Sequence, residues 1–85
     1  MKTFQYTVTD PEGIHARPAG ILVKTAAKYE SGITISAGEE TADLKRIFAV
    51  MGLGVEKGQT VTITAEGVDE EAAVREIQNF MEENL

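Results

Sequence analysis

An 85-residue chain with no cysteine, a single histidine and a net charge of −6 excludes several functions before any motif is read. Disulfides, thiolate metal sites and the familiar multi-histidine metal clusters are unavailable, and the acid surplus argues against a general binder of nucleic acid or of anionic membranes. One small aliphatic domain is expected over residues 1–85, burying only about 60% of the surface its unfolded chain exposes.

The charge is unevenly spread. Residues 1–57 carry seven Lys/Arg and seven Asp/Glu, whereas residues 58–85 carry one against seven, so the net acidity lies in the last third. Between Glu12 and Glu30 there is no acid, only Arg17, Lys24 and Lys28. No charged-then-apolar leader precedes the first strand-like residues, and no apolar run approaches the roughly 18–20 residues that cross a bilayer. A soluble, cytoplasmic protein without membrane insertion is expected.

In chain order, residues 3–9 alternate strictly, with Phe4, Tyr6 and Val8 on one side and threonine or glutamine on the other, which predicts a strand with one wet face. Asp10-Pro11-Glu12-Gly13 supplies turn chemistry. From Ala16 to about Tyr29, Ala19, Leu22, Val23 and Ala26 fall on one helical face, and Pro18 is tolerated in the first turn, where its missing N–H has no partner to lose. Gly32 is expected to close this helix.

Ile33–Ser36 alternates again, and Ala37-Gly38-Glu39 predicts a hairpin to a brief strand over residues 40–42. A middle helix is expected over residues 44–54, ended by Gly54. It is apolar almost all round, so either some of Leu44, Ile47, Phe48, Val50, Met51 and Leu53 stay exposed and mark a partner site, or the helix is wedged between the sheet and the other helices. Thr60–Ala65 predicts a fourth strand with Val61, Ile63 and Ala65 facing the core. Asp69 should cap a last helix carrying the stripe Ala73, Val74, Ile77, Phe80 and Met81, Glu71 should pair with Arg75, and Glu82 and Glu83 should fray its end. The order β-α-β-β-α-β-α describes an α+β fold, a mostly antiparallel four-stranded sheet with three helices on one face.

Chemistry concentrates at Gly13-Ile14-His15-Ala16-Arg17-Pro18. A histidine at a helix start meets the free backbone N–H groups of Ala16 and Arg17 in a field that favours anions. A neutral imidazole has a lone pair and can act as a nucleophile, and a phosphoryl group placed on it would sit at a ready-made anion site. Arg17 can add a charge-assisted hydrogen bond of about 1.5–3 kcal/mol. No carboxylate or hydroxyl stands near in sequence to share general acid–base work. On residue type alone, a lone histidine before a helix also fits a solvated cap with no chemistry.

Residues 13–19, Gly-Ile-His-Ala-Arg-Pro-Ala, resemble the active-site motif of the HPr family, the histidine-containing phosphocarriers of the bacterial phosphoenolpyruvate-dependent sugar phosphotransferase system, and residues 45–58 resemble the family's second motif. The resemblance extends over essentially the whole chain. It implies an open-faced β-sandwich in which His15 accepts a phosphoryl group on Nδ1 from phosphorylated enzyme I and passes it to IIA domains of sugar permeases, assisted by Arg17. It implies no cofactor and no metal, and a stoichiometric carrier that is not an enzyme. A carrier that exposes His15 to successive partners is expected to be a monomer. Docking surfaces in the family correspond here to Gly20, Ile21, Lys24, Ile47, Phe48 and Met51, and the neighbouring cations Lys28, Lys45 and Arg46 are expected to contribute. Many members carry, after the lysine that opens the middle helix, a serine that a kinase phosphorylates for carbon catabolite repression; Arg46 stands there and cannot accept that phosphate. A regulatory interaction protein on the same fold, binding a sensor or transcription factor through Phe48 and Met51, is the alternative reading.

Overall fold

The computed structural model describes residues 1–85. Its elements are β1 (Lys2–Thr7), α1 (Ala16–Ala27), β2 (Gly32–Ala37), β3 (Glu40–Asp43), α2 (Ile47–Gly52), β4 (Thr60–Glu66) and α3 (Glu70–Asn84). The four strands form one fully antiparallel sheet in the order β1-β4-β2-β3. Because β4 pairs antiparallel with both β1 and β2, those two strands run parallel with β4 between them, and α1 makes the crossover.

Alternation in the sequence fixes which face is buried. Val61, Ile63 and Ala65 of β4 and Ile33 and Ile35 of β2 are buried, with Phe4 and Tyr6 of β1 packed beside them. Against these lie Ala19, Leu22 and Ala26 of α1 and Ala73, Ile77 and Met81 of α3, all inaccessible to water. Burying each large aliphatic side chain contributes about 1.5–3 kcal/mol. The other face carries cross-strand hydroxyl pairs, Thr3 with Thr64 at 3.3 Å and Thr7 with Thr60 at 2.8 Å. No helix covers that face, so its polar side chains satisfy one another and water.

Four local expectations are corrected. Gly32 begins β2; α1 ends earlier, at Ala27, with Lys28 as its C-cap. α2 starts at Ile47 because the Asp43 carboxylate accepts the Lys45 N–H at 2.9 Å and the Asp43 carbonyl accepts the Arg46 N–H at 3.1 Å, a turn that competes with the first helical turn. Leu44 is thereby left outside the helix and fully buried. Asp69 precedes α3 but makes no side-chain cap; its carboxylate accepts from the Glu30 N–H at 2.8 Å, the Ser31 N–H at 3.0 Å and the Ser31 hydroxyl, tying the turn between α1 and β2 to α3. Glu71 pairs with Lys2, at 3.4 Å, and not with Arg75.

The end of α3 is held where fraying was expected. Leu85 is buried, and its backbone oxygen accepts the N–H groups of Thr9 at 2.6 Å and Asp10 at 2.8 Å and the Thr9 hydroxyl at 3.0 Å. Glu82 and Glu83 remain exposed beside this anchor. The tie fixes the segment that leads into the histidine turn.

Candidate functional site

The histidine turn is set by a close approach of two backbones. Gly13 has φ +68, and a Cβ there would lie 2.1 Å from the Val55 carbonyl oxygen, so only glycine fits. Ile14 is buried, and its N–H donates to the same Val55 oxygen at 3.1 Å. These contacts lock the turn onto the loop after α2, which Gly54 opens with φ +61.

His15 follows as the N-cap of α1, with extended backbone (φ −99, ψ 179) and its carbonyl accepting the Ala19 N–H at 3.0 Å. Its imidazole makes no capping bond and is 34% exposed. The N–H groups of Ala16 and Arg17 lie in the first helical turn, where no carbonyl precedes them to accept. Arg17 is exposed and enters no ion pair. His15, Arg17, Pro18 and Ile21 line a surface cleft of about 310 Å³ together with Asp10, Phe80 and Asn84. A larger hollow, about 520 Å³, lies at the other end of α3 around Gly67–Ala72 and holds no comparable nucleophile.

Asp10 is the residue that sequence reasoning missed. Its Oδ2 lies 3.7 Å from His15 Nε2, while its Oδ1 accepts the Glu12 N–H at 2.8 Å. The Gly13 N–H closes the turn on the Asp10 carbonyl at 2.9 Å, which folds a carboxylate five residues upstream back onto the ring. The acid-free stretch after Glu12 therefore does not leave the histidine without a carboxylate. Donor atoms of Asp10, Glu12 and His15 lie within 4.8 Å of one another, the one group in the structure that could gather around a cation. Glu12 is exposed, and Asp10 and His15 are half-buried at the surface, where water reaches the carboxylates without an ion.

The expected docking residues divide by what their side chains already do. Ile21, Phe48 and Met51 are 49%, 87% and 38% exposed, an apolar patch on α1 and α2. Gly20 stands where the two helices meet; a Cβ there would lie 3.7 Å from Ile47 Cδ1, an ordinary contact, so the position has room for a small side chain. Val50 alone in α2 is buried, with Ile47 and Leu53 partly covered, so the helix is both wedged and exposed. Lys24 and Arg46 are exposed and unpaired. Lys28, by contrast, pairs with Glu76 of α3, and the Lys45 ammonium donates to the Tyr29 carbonyl at 2.7 Å, so both serve the fold around the end of α1.

Comparison with known proteins agrees with this architecture. The family model described as "PTS HPr component phosphorylation site" matches residues 2–83. The phosphocarrier protein HPr of Lysinibacillus sphaericus is 45% identical over 83 residues, 98% of this chain and 94% of that protein. The solved structure of a histidine-containing phosphocarrier protein of Mycoplasma superposes with a TM-score of 0.94 at 40% identity, covering 96% of this chain and 93% of that one. An HPr dimer from Thermoanaerobacter tengcongensis gives a TM-score of 0.78 at 36% identity over 98% and 95%. The chain belongs to the HPr family of phosphocarrier proteins of the phosphotransferase system. No helix is long and apolar enough to cross a membrane.

Proposed function

We infer that this chain takes a phosphoryl group onto His15 Nδ1 from phosphorylated enzyme I and hands it to IIA domains of sugar permeases in the cytoplasm. The observation that carries the reading is the shared cleft: an exposed, uncapped imidazole at the N-terminus of α1 with an unpaired arginine two residues on. In the transfer, the Nδ1 lone pair forms a bond to phosphorus while the donor's bond to phosphorus breaks, its electron pair leaving with the donor. The Nε2 proton stays on the ring. Passing the group on reverses these roles, so the protein is regenerated and is not an enzyme in its own right.

Arg17 and the first-turn amides attract the phosphoryl oxygens. They form a shallow site, which suits a group that must leave again, since each additional ~1.4 kcal/mol of stabilisation lowers the tendency to pass it on tenfold. Ile21, Phe48 and Met51 supply the apolar contact for partners, with Lys24 and Arg46 as cations beside it. Each copy presents one His15 and is read as acting alone. Arg17 in the histidine's cleft favours the carrier over a purely regulatory protein.

Incubation with phosphoenolpyruvate and enzyme I should give one acid-labile, base-stable phosphate per chain, absent from His15→Ala. An unlabelled wild-type protein would overturn the reading.

A further inference from the structure

We propose that Asp10 is the positioning residue of the phosphoryl acceptor: its carboxylate holds the His15 proton on Nε2 and so leaves the lone pair on Nδ1. The inference rests on His15 being the acceptor and adds a residue to that site.

The geometry starts from how firmly Asp10 is held. Its N–H donates to the Leu85 backbone oxygen, its own carbonyl accepts the Gly13 N–H, and Oδ1 accepts the Glu12 N–H. Oδ2 alone has no other partner, and it faces Nε2 at 3.7 Å. That separation is longer than a closed hydrogen bond, and catalytic hydrogen bonds are often long in the free protein and tighten when the partner binds. Asp10 is partly buried, so water screens the contact less than at an open surface.

The chemistry follows from donor and acceptor types. A neutral imidazole has one N–H and one lone pair, and an ionised carboxylate only accepts. Oδ2 therefore favours the tautomer with Nε2–H, which places the lone pair on Nδ1. When Nδ1 bonds to phosphorus and the donor's bond breaks, the Nε2 proton remains and the ring gains positive charge next to the carboxylate. Asp10 orients the ring and stabilises that charge, the division of labour a carboxylate has in a Ser-His-Asp triad.

Two substitutions separate this role from a structural one. Asp10→Asn keeps an oxygen for the Glu12 N–H but presents an amide NH₂ to Nε2; the NH₂ donates, so it favours a lone pair on Nε2 and the proton on Nδ1. Asp10→Ala removes both the turn contact and the bias.

Nitrogen-15 NMR of the ring in the full-length chain, at a pH where it is neutral, reads the tautomer, and uptake from phosphoenolpyruvate and enzyme I reads the rate. The wild type is expected to be mainly Nε2–H, with Asp10→Asn shifted toward Nδ1–H and slowed about tenfold to a hundredfold, and Asp10→Ala between them. Wild-type tautomers and uptake in Asp10→Asn would overturn the proposal, as would a slow Asp10→Ala beside a normal Asp10→Asn, which marks a turn-forming role only. If the wild type takes up no phosphate, the carrier reading fails, and the tautomer measurement still decides whether Asp10 sets the ring.

Discussion

Gly13 and Val55 meet backbone to backbone, with the Val55 carbonyl oxygen occupying the space a Gly13 side chain would need. The histidine turn is therefore pressed onto a loop some 40 residues away in sequence, and one added methyl group must push the two apart. Gly13→Ala is expected to lose about 2–4 kcal/mol, combining positive φ with a backbone clash, and to lower the melting temperature by roughly 10 °C or more. Gly38→Ala, also at positive φ but with open space around it, should lose only about 1 kcal/mol. Thermal melts of the two variants side by side check the difference.

Arg17 is exposed and unpaired, so its guanidinium contributes little to folding. Arg17→Ala is expected to change stability by no more than about 0.5 kcal/mol and to slow phosphoryl uptake about tenfold to a hundredfold, the loss of one charge-assisted hydrogen bond. Arg17→Lys should recover only part of the rate, because an ammonium lacks the planar fork. Rapid-quench measurement of phosphate uptake together with denaturant melts separates rate from stability.

Phe48, 87% exposed in a six-residue helix, makes too few internal contacts to matter for folding. Phe48→Ala is expected to leave the melting temperature nearly unchanged and to weaken binding to enzyme I about tenfold, as loss of an aromatic anchor does. Titration calorimetry reads the affinity. Unchanged affinity would remove α2 from the docking surface.

The three bonds to the Asp69 carboxylate, led by that from the Ser31 hydroxyl, hold its pKa below the ordinary aspartate value, and Glu76 is lowered mainly by its bond from Lys28. Carboxylates lowered in the folded state add stability that is fully present above their unfolded pKa and is lost as pH falls through the folded one. Stability is therefore expected to be level near neutrality and to drop below about pH 4. Asp69→Asn should lower stability at neutral pH and flatten that acid slope, which denaturant titrations at several pH values would show.

Alternation made the sheet legible, since Phe4, Tyr6, Val61 and Ile63 repeat with period two and the structure buries that side. The stripe along α3 and the histidine's place before α1 were equally plain. What stayed hidden depends on side chains meeting across long sequence separations. Asp69 has every property of an N-cap, yet Ser31 and Glu30 take its carboxylate. Lys28 and Lys45 look like free surface cations until Glu76 and the Tyr29 carbonyl come near. Asp10 reads as a turn former, and only the closure of the turn on Gly13, with Leu85 holding the preceding backbone, shows that its second oxygen faces the ring.

The most direct measurement is the atom that carries the phosphate. Phosphorus-31 and nitrogen-15 NMR of the protein labelled by phosphoenolpyruvate and enzyme I should place the phosphoryl group on His15 Nδ1, with Nε2 still protonated. Phosphate on Nε2, or on any hydroxyl side chain, would contradict the account.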